Sequence, residues 1–463
     1  MLVKTFASAV QGVHAKTITI EVNAGGTVAA GQQFYHLIGL PDVAVREGTQ
    51  RIEAALKNVG YRLPRVKLVV NLAPAAIRKE GAAYDLPIAL GILASTRQIK
   101  AEGLDRYLMM GELALDGGLR PIIGALPIAI QARKEKYKGI ILPRQNAREA
   151  AIVNDLEVYG IDNLKEAIAF FNQEKDLKAT QVDTREEFFH RHNQYEVDFA
   201  DVKGQQNIKK ALEIAAAGGH NVILIGPPGA GKTMLARRMP TILPPLDLHE
   251  ALETTKIHSV AGNLSRDSSL VTIRPFRAPH HTISDAALVG GGSNPRPGEI
   301  SLAHNGVLFL DELPEFKRGV LEVLRQPMEQ RSVTISRAKV SVDYPANFVL
   351  VAACNPCPCG NYNHPVNECS CAPGVVQRYL NKISGPLMDR IDLHVEVTPV
   401  SYEELADGEA PSESSEVIAE RVIKARALQT ARFKDIPGVH RSARPINRAK
   451  LLYHSRIHLR IAM

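Results

Sequence analysis

Short apolar runs alternate with helix-like patterns along most of this chain. In the first third, residues 66–71 and 139–143 have the composition of buried strands, and residues 49–59 carry apolar side chains at helical spacing before Gly60. Further along, three more apolar runs predict strands: residues 221–225, 306–310 and 348–353. Strands separated by helical patterns are typical of α/β folds with parallel sheets.

The pattern changes between these two α/β regions. Residues 172–198 are polar and charge-mixed without sustained periodicity, which predicts a linker. Because 463 residues are many for one compact core, we predict a first domain over residues 1–171 and a second over residues 199–400. An acidic stretch then leads to one helix, Glu416 to Ala431, after which the pattern decays.

Composition and charge narrow the functional class. The net charge is +7, but residues 421–463 hold eleven Lys or Arg and one acid, which leaves −3 on residues 1–420. Net charge alone therefore does not predict a basic nucleic-acid-binding surface on residues 1–420. The chain has no Trp and only 5% aromatic residues. This composition argues against a surface that binds nucleic acid mainly by stacking on its bases. Neither a membrane-spanning run nor a signal peptide is recognisable, so we expect a soluble, cytoplasmic protein.

A phosphate-binding motif directly follows the strand predicted at residues 221–225. The P-loop pattern of Gly, four residues, Gly, Lys and Thr is fitted by Gly226, Pro227, Pro228, Gly229, Ala230, Gly231, Lys232 and Thr233. Its glycines let backbone N–H groups face phosphates, and the helix that follows adds its positive N-terminal end. We expect Lys232 to bridge the β- and γ-phosphates of ATP and Thr233 to bind Mg²⁺.

Two adjacent acids end the strand predicted at residues 306–310. Asp311 is placed to join the Mg²⁺ shell, which leaves Glu312 free to orient and deprotonate an attacking water. One acid would suffice for binding ATP. The pair indicates ATP hydrolysis.

These motifs resemble those of the Mg-chelatase-like AAA+ ATPases, and more closely those of the bacterial ComM/YifB family. The resemblance covers about residues 1–440. It includes the segments 277–283 (Arg-Ala-Pro-His-His-Thr-Ile), 295–301 (Pro-Arg-Pro-Gly-Glu-Ile-Ser) and 385–392 (Gly-Pro-Leu-Met-Asp-Arg-Ile-Asp). It implies a P-loop AAA+ core with a parallel sheet, a homo-hexameric ring, and a DNA motor for branch migration during natural transformation and recombination.

The resemblance also assigns two further catalytic residues. Asn355, at the end of a strand, corresponds to the sensor that polarises the water. Arg390 corresponds to the arginine finger, which reaches the γ-phosphate of the neighbouring subunit and so implies a closed ring. The alternative for Arg390 is a surface ion pair with Asp389 or Asp392.

Two inserted segments are candidates for DNA contact. Residues 276–301 are rich in Gly, Pro, His and Arg, which predicts an exposed loop or insert. Residues 332–342 predict a β-hairpin whose turn carries Arg337 and Lys339. In rings of this family such inserts face the central pore, so both side chains are candidates for contacts to the DNA backbone. The alternative is a solvated basic turn.

All five cysteines fall between Cys354 and Cys371, which favours a metal site or a local structural role over a disulfide framework. Tetrahedral Zn²⁺ needs four thiolates, for which Cys357, Cys359, Cys369 and Cys371 are the candidates. His364 is a spare ligand. The alternative is a set of free thiols in a partly buried loop. If zinc binds, its role is to brace the loop beside Asn355.

The two ends of the chain resemble known domains in part. Residues 79–91 and 111–127 resemble the Lon protease domain (ribosomal S5-like, ChlI-type), but Ala83 and Pro127 stand where that enzyme needs Ser and Lys. We therefore predict a domain without protease activity, used for assembly or for guiding DNA. Residues 401–463 predict a partial helical lid with an atypical basic tail, poorly ordered from about Arg441.

Two rival functions remain beside the DNA motor. One is a chelatase-type ATPase that remodels a partner protein, and the other is a scaffold that binds ATP without productive turnover. Stimulation of ATP hydrolysis by DNA or by a protein partner would discriminate between them.

Overall fold

The computed structural model describes residues 1–28, 34–190, 195–264, 269–292, 295–337, 340–364, 367–399 and 412–432. Backbone contacts divide the chain into two units. The first comprises residues 1–190 and 255–271, and the second comprises residues 191–254 and those from 272 onward.

The first unit is a mixed α/β domain. Its strands are β1 (Leu2–Gln11), β2 (His14–Ala24), β3 (Tyr35–Ile38), β4 (Leu68–Ala73), β5 (Tyr107–Met109), β6 (Glu112–Leu113), β7 (Leu119–Arg120), β8 (Gly139–Pro143) and β9 (Glu157–Ile161). Its helices are α1 (Val43–Asn58), α2 (Asp85–Ser95), α3 (Ala125–Lys134), α4 (Arg144–Ala150), α5 (Leu164–Phe171) and α6 (Thr184–His190).

A seven-stranded sheet in the order β3-β4-β2-β1-β5-β8-β9 organises this unit. The long hairpin β1–β2 and strand β4 are antiparallel, whereas β5, β8 and β9 extend the sheet in parallel. Helix α2 is buried along its whole length because its sequence is apolar on nearly every face. Ala83 lies in the short turn Ala82–Tyr84, and Pro127 is buried in α3.

Part of the predicted linker packs on the first unit. The Thr184 hydroxyl donates to the carbonyl of Ile152 at 3.0 Å, and the backbone N–H of Thr180 donates to the carbonyl of Val158 at 2.7 Å. Phe188 of α6 is buried. Residues 172–190 of the predicted linker therefore belong to the first unit. The seven-residue helix is too short to give a periodic signal, and polar anchors hold it.

The second unit is built around parallel strands. Its strands are β10 (Val222–Ile225), β11 (Phe276–Arg277), β12 (Gly290–Gly291), β13 (Arg296–Pro297), β14 (Val307–Leu310), β15 (Ser332–Arg337), β16 (Val340–Pro345), β17 (Val349–Cys354) and β18 (Leu393–Glu396). Its helices are α7 (Gln206–Gly218), α8 (Lys232–Ile242), α9 (Leu248–Ala261), α10 (Asp285–Val289), α11 (Glu299–Leu302), α12 (Arg318–Glu322), α13 (Arg325–Gln330), α14 (Val375–Leu380), α15 (Gly385–Met388) and α16 (Ser415–Arg432). Helix α9 belongs to the first unit from Thr255 onward.

The central sheet of this unit has the order β11-β14-β17-β10-β18, with every neighbouring pair parallel. This confirms the predicted α/β class with a parallel-sheet core. The carboxyl ends of all five strands meet at one edge. Strand β10, which precedes the P-loop, lies between β17 and β18. Ligands of open α/β sheets bind outside the carboxyl ends of the strands.

The helix predicted at residues 416–431 is confirmed as α16 and packs in the core of the second unit. Ile418 and Val422 join the apolar cluster beneath the sheet, and Arg421 forms an ion pair with Glu213 at 3.0 Å. The basic tail from residue 433 lies outside the described residues. Across the described part of the chain, every helix is too short or too polar to span a bilayer.

Candidate nucleotide site

The P-loop forms a tight turn between β10 and α8. Gly229 and Gly231 have φ values of +77° and +82°, a left-handed conformation that side chains disfavour. At Gly226, an added Cβ would lie 2.2 Å from the carbonyl oxygen of Val397, so only glycine fits. The loop therefore leads directly into the N-terminus of α8, where backbone N–H groups are free for an anion.

The ammonium of Lys232 is buried inside this turn. Its Nζ donates to the carbonyls of Gly226 and Pro227 at 2.7 and 2.9 Å, and to Asn355 Oδ1 at 3.1 Å. Burial lowers the pKa of Lys232, and the carboxylate of Asp311 opposes this shift. The site thus holds a desolvated cation whose present partners are mostly neutral carbonyl oxygens.

Hard oxygen donors lie beside the first turn of α8. The Thr233 hydroxyl donates to Asp311 Oδ2 at 2.7 Å, and Asp311 Oδ1 accepts from the backbone N–H of Glu312 at 2.9 Å. Asn355 reaches the same place because its strand, β17, lies between the strand of the P-loop and the strand of the acids. Hydroxyl and carboxylate oxygens are the ligands that Mg²⁺ takes, so this pair fits it.

Glu312 has an unusual backbone and an unpredicted partner. Its φ of +51° is rare outside glycine, and it turns the chain sharply away from β14. His281 Nδ1 lies 3.2 Å from Glu312 Oε2. His281 belongs to the motif of residues 277–283, for which no local pattern indicates a catalytic role. The pair of adjacent histidines in that motif was the available signal.

Residues 276–301 are more structured than predicted. They contain β11, α10, the β12–β13 pair and α11, and Leu288 and Ile300 are buried. Arg277 Nε and Nη2 donate to the two carboxylate oxygens of Glu299 at 2.6 and 2.7 Å. The segment is therefore an insert, one of the two predicted alternatives, and short elements and an ion pair organise it despite its glycines.

Arg390 has a different partner from the two proposed for it. Its guanidinium forms an ion pair with Glu329 of α13 and donates to the carbonyl of Pro386 at 2.5 Å. Asp392 instead accepts from the backbone N–H of Asn221 at 2.9 Å. Among the described residues, Arg390 Nε is buried without a hydrogen-bond partner.

The predicted hairpin is present. Strands β15 and β16 pair in antiparallel register from Ser332 opposite Pro345 to Arg337 opposite Val340. Arg337 is therefore the last residue of a strand, and Lys339 lies outside the described residues.

Four of the five thiols converge. The Sγ atoms of Cys357, Cys359, Cys369 and Cys371 all lie within 4.8 Å of one another. The distances from Cys357 Sγ to Cys359 Sγ and Cys369 Sγ are 3.3 and 3.8 Å, and Cys359 Sγ lies 3.6 Å from Cys369 Sγ. Four thiolates at about 2.3 Å from a tetrahedral Zn²⁺ would be about 3.8 Å apart, so the cluster could hold such an ion.

Backbone N–H groups support these thiols. Tyr362 N–H donates to Cys357 Sγ at 3.3 Å. The backbone N–H of Asn361, followed by the Cys357 thiol, lowers the pKa of Cys359 to about 5. His364 Nδ1 accepts from the backbone N–H of Asn367 instead and is not among the clustered ligand atoms.

The cysteine loop lies against the P-loop. Gly360, with a φ of +84°, packs so close to Pro228 that an added Cβ would be 2.5 Å from Pro228 Cδ. Cys354, the fifth cysteine, is buried in β17 and stands apart from the cluster. A metal ion that fixes residues 357–371 would therefore also restrict the P-loop and Asn355.

Comparisons with known proteins give the family. Residues 198–405 match the family described as magnesium chelatase, subunit ChlI, and residues 21–146 match subunit ChlI of Mg-chelatase. Competence protein ComM of Haemophilus influenzae is 44% identical over 428 residues, which is 92% of this chain and 82% of that protein. The chain belongs to the ComM/YifB family of Mg-chelatase-like proteins. YifB of Escherichia coli is likewise 44% identical, over 91% of this chain and 81% of its own length. The magnesium-chelatase 67 kDa subunit of Heliobacterium mobile is 29% identical over 34% of this chain and 28% of its own length.

Membership in this family of AAA+ proteins implies ATP and Mg²⁺ as ligands. The donor set agrees: a buried ammonium in a P-loop for phosphates, and a hydroxyl paired with a carboxylate for the cation.

Proposed function

We propose that this chain is an ATP-hydrolysing AAA+ motor of the ComM type, which acts on DNA as a hexamer in the cytoplasm. In this proposal it drives branch migration during natural transformation and recombination. The single observation that carries ATP hydrolysis is the convergence of Lys232, Asn355 and the Thr233–Asp311 pair at the carboxyl edge of one parallel sheet.

Each residue has a distinct part in the proposed reaction. Lys232 exchanges its carbonyl partners for oxygens of the β- and γ-phosphates, and the new charge partner compensates for its burial. Thr233 and Asp311 hold Mg²⁺, which when bound neutralises phosphate charge. Glu312 takes a proton from the attacking water, and Asn355 orients that water through its amide.

The arginine finger is proposed to act in the neighbouring subunit. Arg390 precedes β18, and its carbonyl accepts from the side-chain amide of Asn221, the residue before β10, at 2.8 Å. The P-loop follows the other end of β10, and a strand of four residues spans about 13 Å. Arg390 therefore lies toward the edge opposite its own P-loop, which supports a role in trans and hence a closed ring.

Two arguments support DNA as the ligand of this motor. The related protein of Haemophilus influenzae bears the name competence protein. Strand β15 of the two-stranded hairpin ends at Arg337. In this proposal Arg337 and Lys339 contact phosphates without reading bases. A second candidate is a chelatase-type ATPase that remodels a partner protein, which the match to magnesium chelatase subunit ChlI favours.

We also propose that the four-cysteine cluster binds structural Zn²⁺. The support is the agreement of three Sγ–Sγ distances, 3.3 to 3.8 Å, with a tetrahedral thiolate site. Bound zinc would stabilise residues 357–371 and take no part in the chemistry.

The deciding experiment measures ATP hydrolysis by the full chain, alone, with single-stranded DNA, with branched DNA and with duplex DNA. Stimulation by single-stranded or branched DNA, lost in Lys232→Ala, would support the DNA motor. ATP turnover that no DNA changes would contradict it, and turnover raised by an added partner protein would select the second candidate. Bound ATP with negligible turnover under every condition would indicate a scaffold.

A further inference from the structure

An imidazole from the inserted loop contacts the side chain of Glu312. The His281 ring, 3.2 Å from Glu312 Oε2, stacks on His280 with centroids 4.1 Å apart and lies edge-on to Phe316 at 6.4 Å. His281 is 30% exposed, whereas Glu312 is 55% exposed. The ring is thus packed on two sides, while the carboxylate it contacts lies largely in solvent, where it has room to rotate.

The sheet order brings these two residues together. Strand β11, which ends at Arg277, pairs directly with β14, which ends just before Asp311. The segments that leave these neighbouring strands therefore emerge side by side. The ion pair between Arg277 and Glu299 joins the two ends of the insert and fixes its base beside β14. The pairing of β11 with β14 and the Arg277–Glu299 ion pair thus set the position of His281 relative to Glu312.

We propose that His281 is a positioning residue for the catalytic base. Its Nδ1–H donates to Oε2 of Glu312, which restricts rotation of the carboxylate and leaves Oε1 to accept the proton of the attacking water. This inference rests on the proposed function, in which Glu312 is that base. Misplacement of a reacting group by about 1 Å can cost about a hundredfold in rate, so an exposed, rotating carboxylate needs such a partner. His281 itself touches neither ATP nor the water.

Steady-state ATP turnover by three variants tests the role. His281→Ala should lower kcat about tenfold or more, as expected for loss of a hydrogen bond to a charged group, while the Kd for ATP stays near wild type. His281→Asn retains an N–H donor near the position of Nδ1 and should recover part of kcat. The control His280→Phe keeps a ring against His281, lacks any hydrogen-bonding group, and should match wild type. A His281→Ala enzyme with unchanged or raised kcat would overturn the proposal, as would a defect confined to KM.

A second measurement separates positioning from a general effect on folding. In the Glu312→Gln background, His281→Ala should change the residual single-turnover rate less than about twofold, because it acts through the carboxylate that is already lost. Full additivity of the two losses would refute an action through Glu312. If Glu312→Gln itself hydrolysed ATP at the wild-type rate, the assignment of the base would fail. A slow Glu312→Gln beside a normal His281→Ala would refute only the role of His281.

Discussion

Lys232 Nζ donates a hydrogen bond to Asn355 Oδ1 at 3.1 Å, which links the P-loop to the strand that separates it from the two acids. The same ammonium is bound to two carbonyls of its own loop. A γ-phosphate that recruits Lys232 would therefore also release the oxygen of Asn355. In the proposed reaction, this one contact would couple nucleotide binding to orientation of the water.

Replacing Lys232 should weaken ATP binding without unfolding the protein. Lys232→Ala removes a charge-assisted contact to phosphate, and ATP affinity should fall about tenfold to a hundredfold or more. Asn355→Ala should leave ATP affinity close to wild type and lower turnover. Titration with a fluorescent ATP analogue measures the affinity, steady-state ATP hydrolysis measures the turnover, and a thermal melt of each variant checks the folding. Equal loss of affinity in the two variants would show that Asn355 binds nucleotide.

Glu312→Gln keeps the size of the side chain and removes its basicity. We expect the variant to bind ATP normally and to hydrolyse it about 10²- to 10⁴-fold more slowly, the usual contribution of a general base. Rapid-quench measurement of a single turnover, with ATP in limiting amount, reports the chemical step directly. Turnover at the wild-type rate would exclude Glu312 as the base.

Local sequence signals predicted several elements of the second unit well. The P-loop strand was expected at residues 221–225 and is Val222–Ile225, and the helix expected at residues 416–431 is Ser415–Arg432. These features are specified by residues close in sequence: an apolar run, a glycine pattern, a helical period. The parallel sheet followed from the alternation of such segments.

Contacts between distant residues could not be predicted in this way. His281 meets Glu312 because β11 pairs with β14, and no local pattern encodes that strand order. Likewise, the partner of Arg390 is Glu329, 61 positions away, and not the adjacent acids. Residues 184–190 form a short helix in which Phe188 is buried and Thr184 donates to the distant carbonyl of Ile152, a contact that no local pattern encodes.

The ion pair of Arg390 with Glu329 allows a direct test of the finger. Arg390→Ala should keep ATP binding and lose about a thousandfold in turnover, as expected for an arginine finger. The matched control Glu329→Ala removes the partner of Arg390 but leaves the guanidinium, so turnover should persist. If both variants lost thermal stability equally and Arg390→Ala retained turnover, the pair would be purely structural.

Mixed assemblies test whether the finger acts between subunits. Arg390→Ala has an intact base, and Glu312→Gln has an intact finger, so mixing two inactive proteins should restore part of the ATP turnover. Turnover that stays at the level of the separate variants, in assemblies shown to contain both, would argue for action within one subunit.

The hairpin end is the proposed contact to DNA. Neutralising Arg337 and Lys339 together should weaken DNA binding similarly across sequences and flatten its salt dependence by about 0.7 per lost phosphate contact on single strands. The double variant Lys210→Ala, Lys424→Ala removes two exposed charges from helices α7 and α16 and serves as the control. An unchanged slope of log Kd against log salt concentration would show that the hairpin is not in the DNA path.

Removal of metal from the cysteine cluster should destabilise the nucleotide site. Zinc fixed by Cys357, Cys359, Cys369 and Cys371 would hold Gly360 against Pro228, so its loss should loosen the P-loop. We expect about one zinc per chain by elemental analysis, and none in Cys369→Ser. Chelation of the wild type should lower both the melting temperature and the affinity for ATP, and added zinc should restore them.

Cys354→Ala provides the matched control for this prediction, because Cys354 is buried in β17 and lies outside the cluster. This variant should retain zinc, and its response to a chelator should match the wild type. Magnesium must be added back after chelation, since Thr233 and Asp311 would lose their cation as well. If zinc is bound but its removal leaves ATP affinity unchanged, the cluster does not act on the P-loop. If freshly purified protein contains no zinc, the four residues are free thiols.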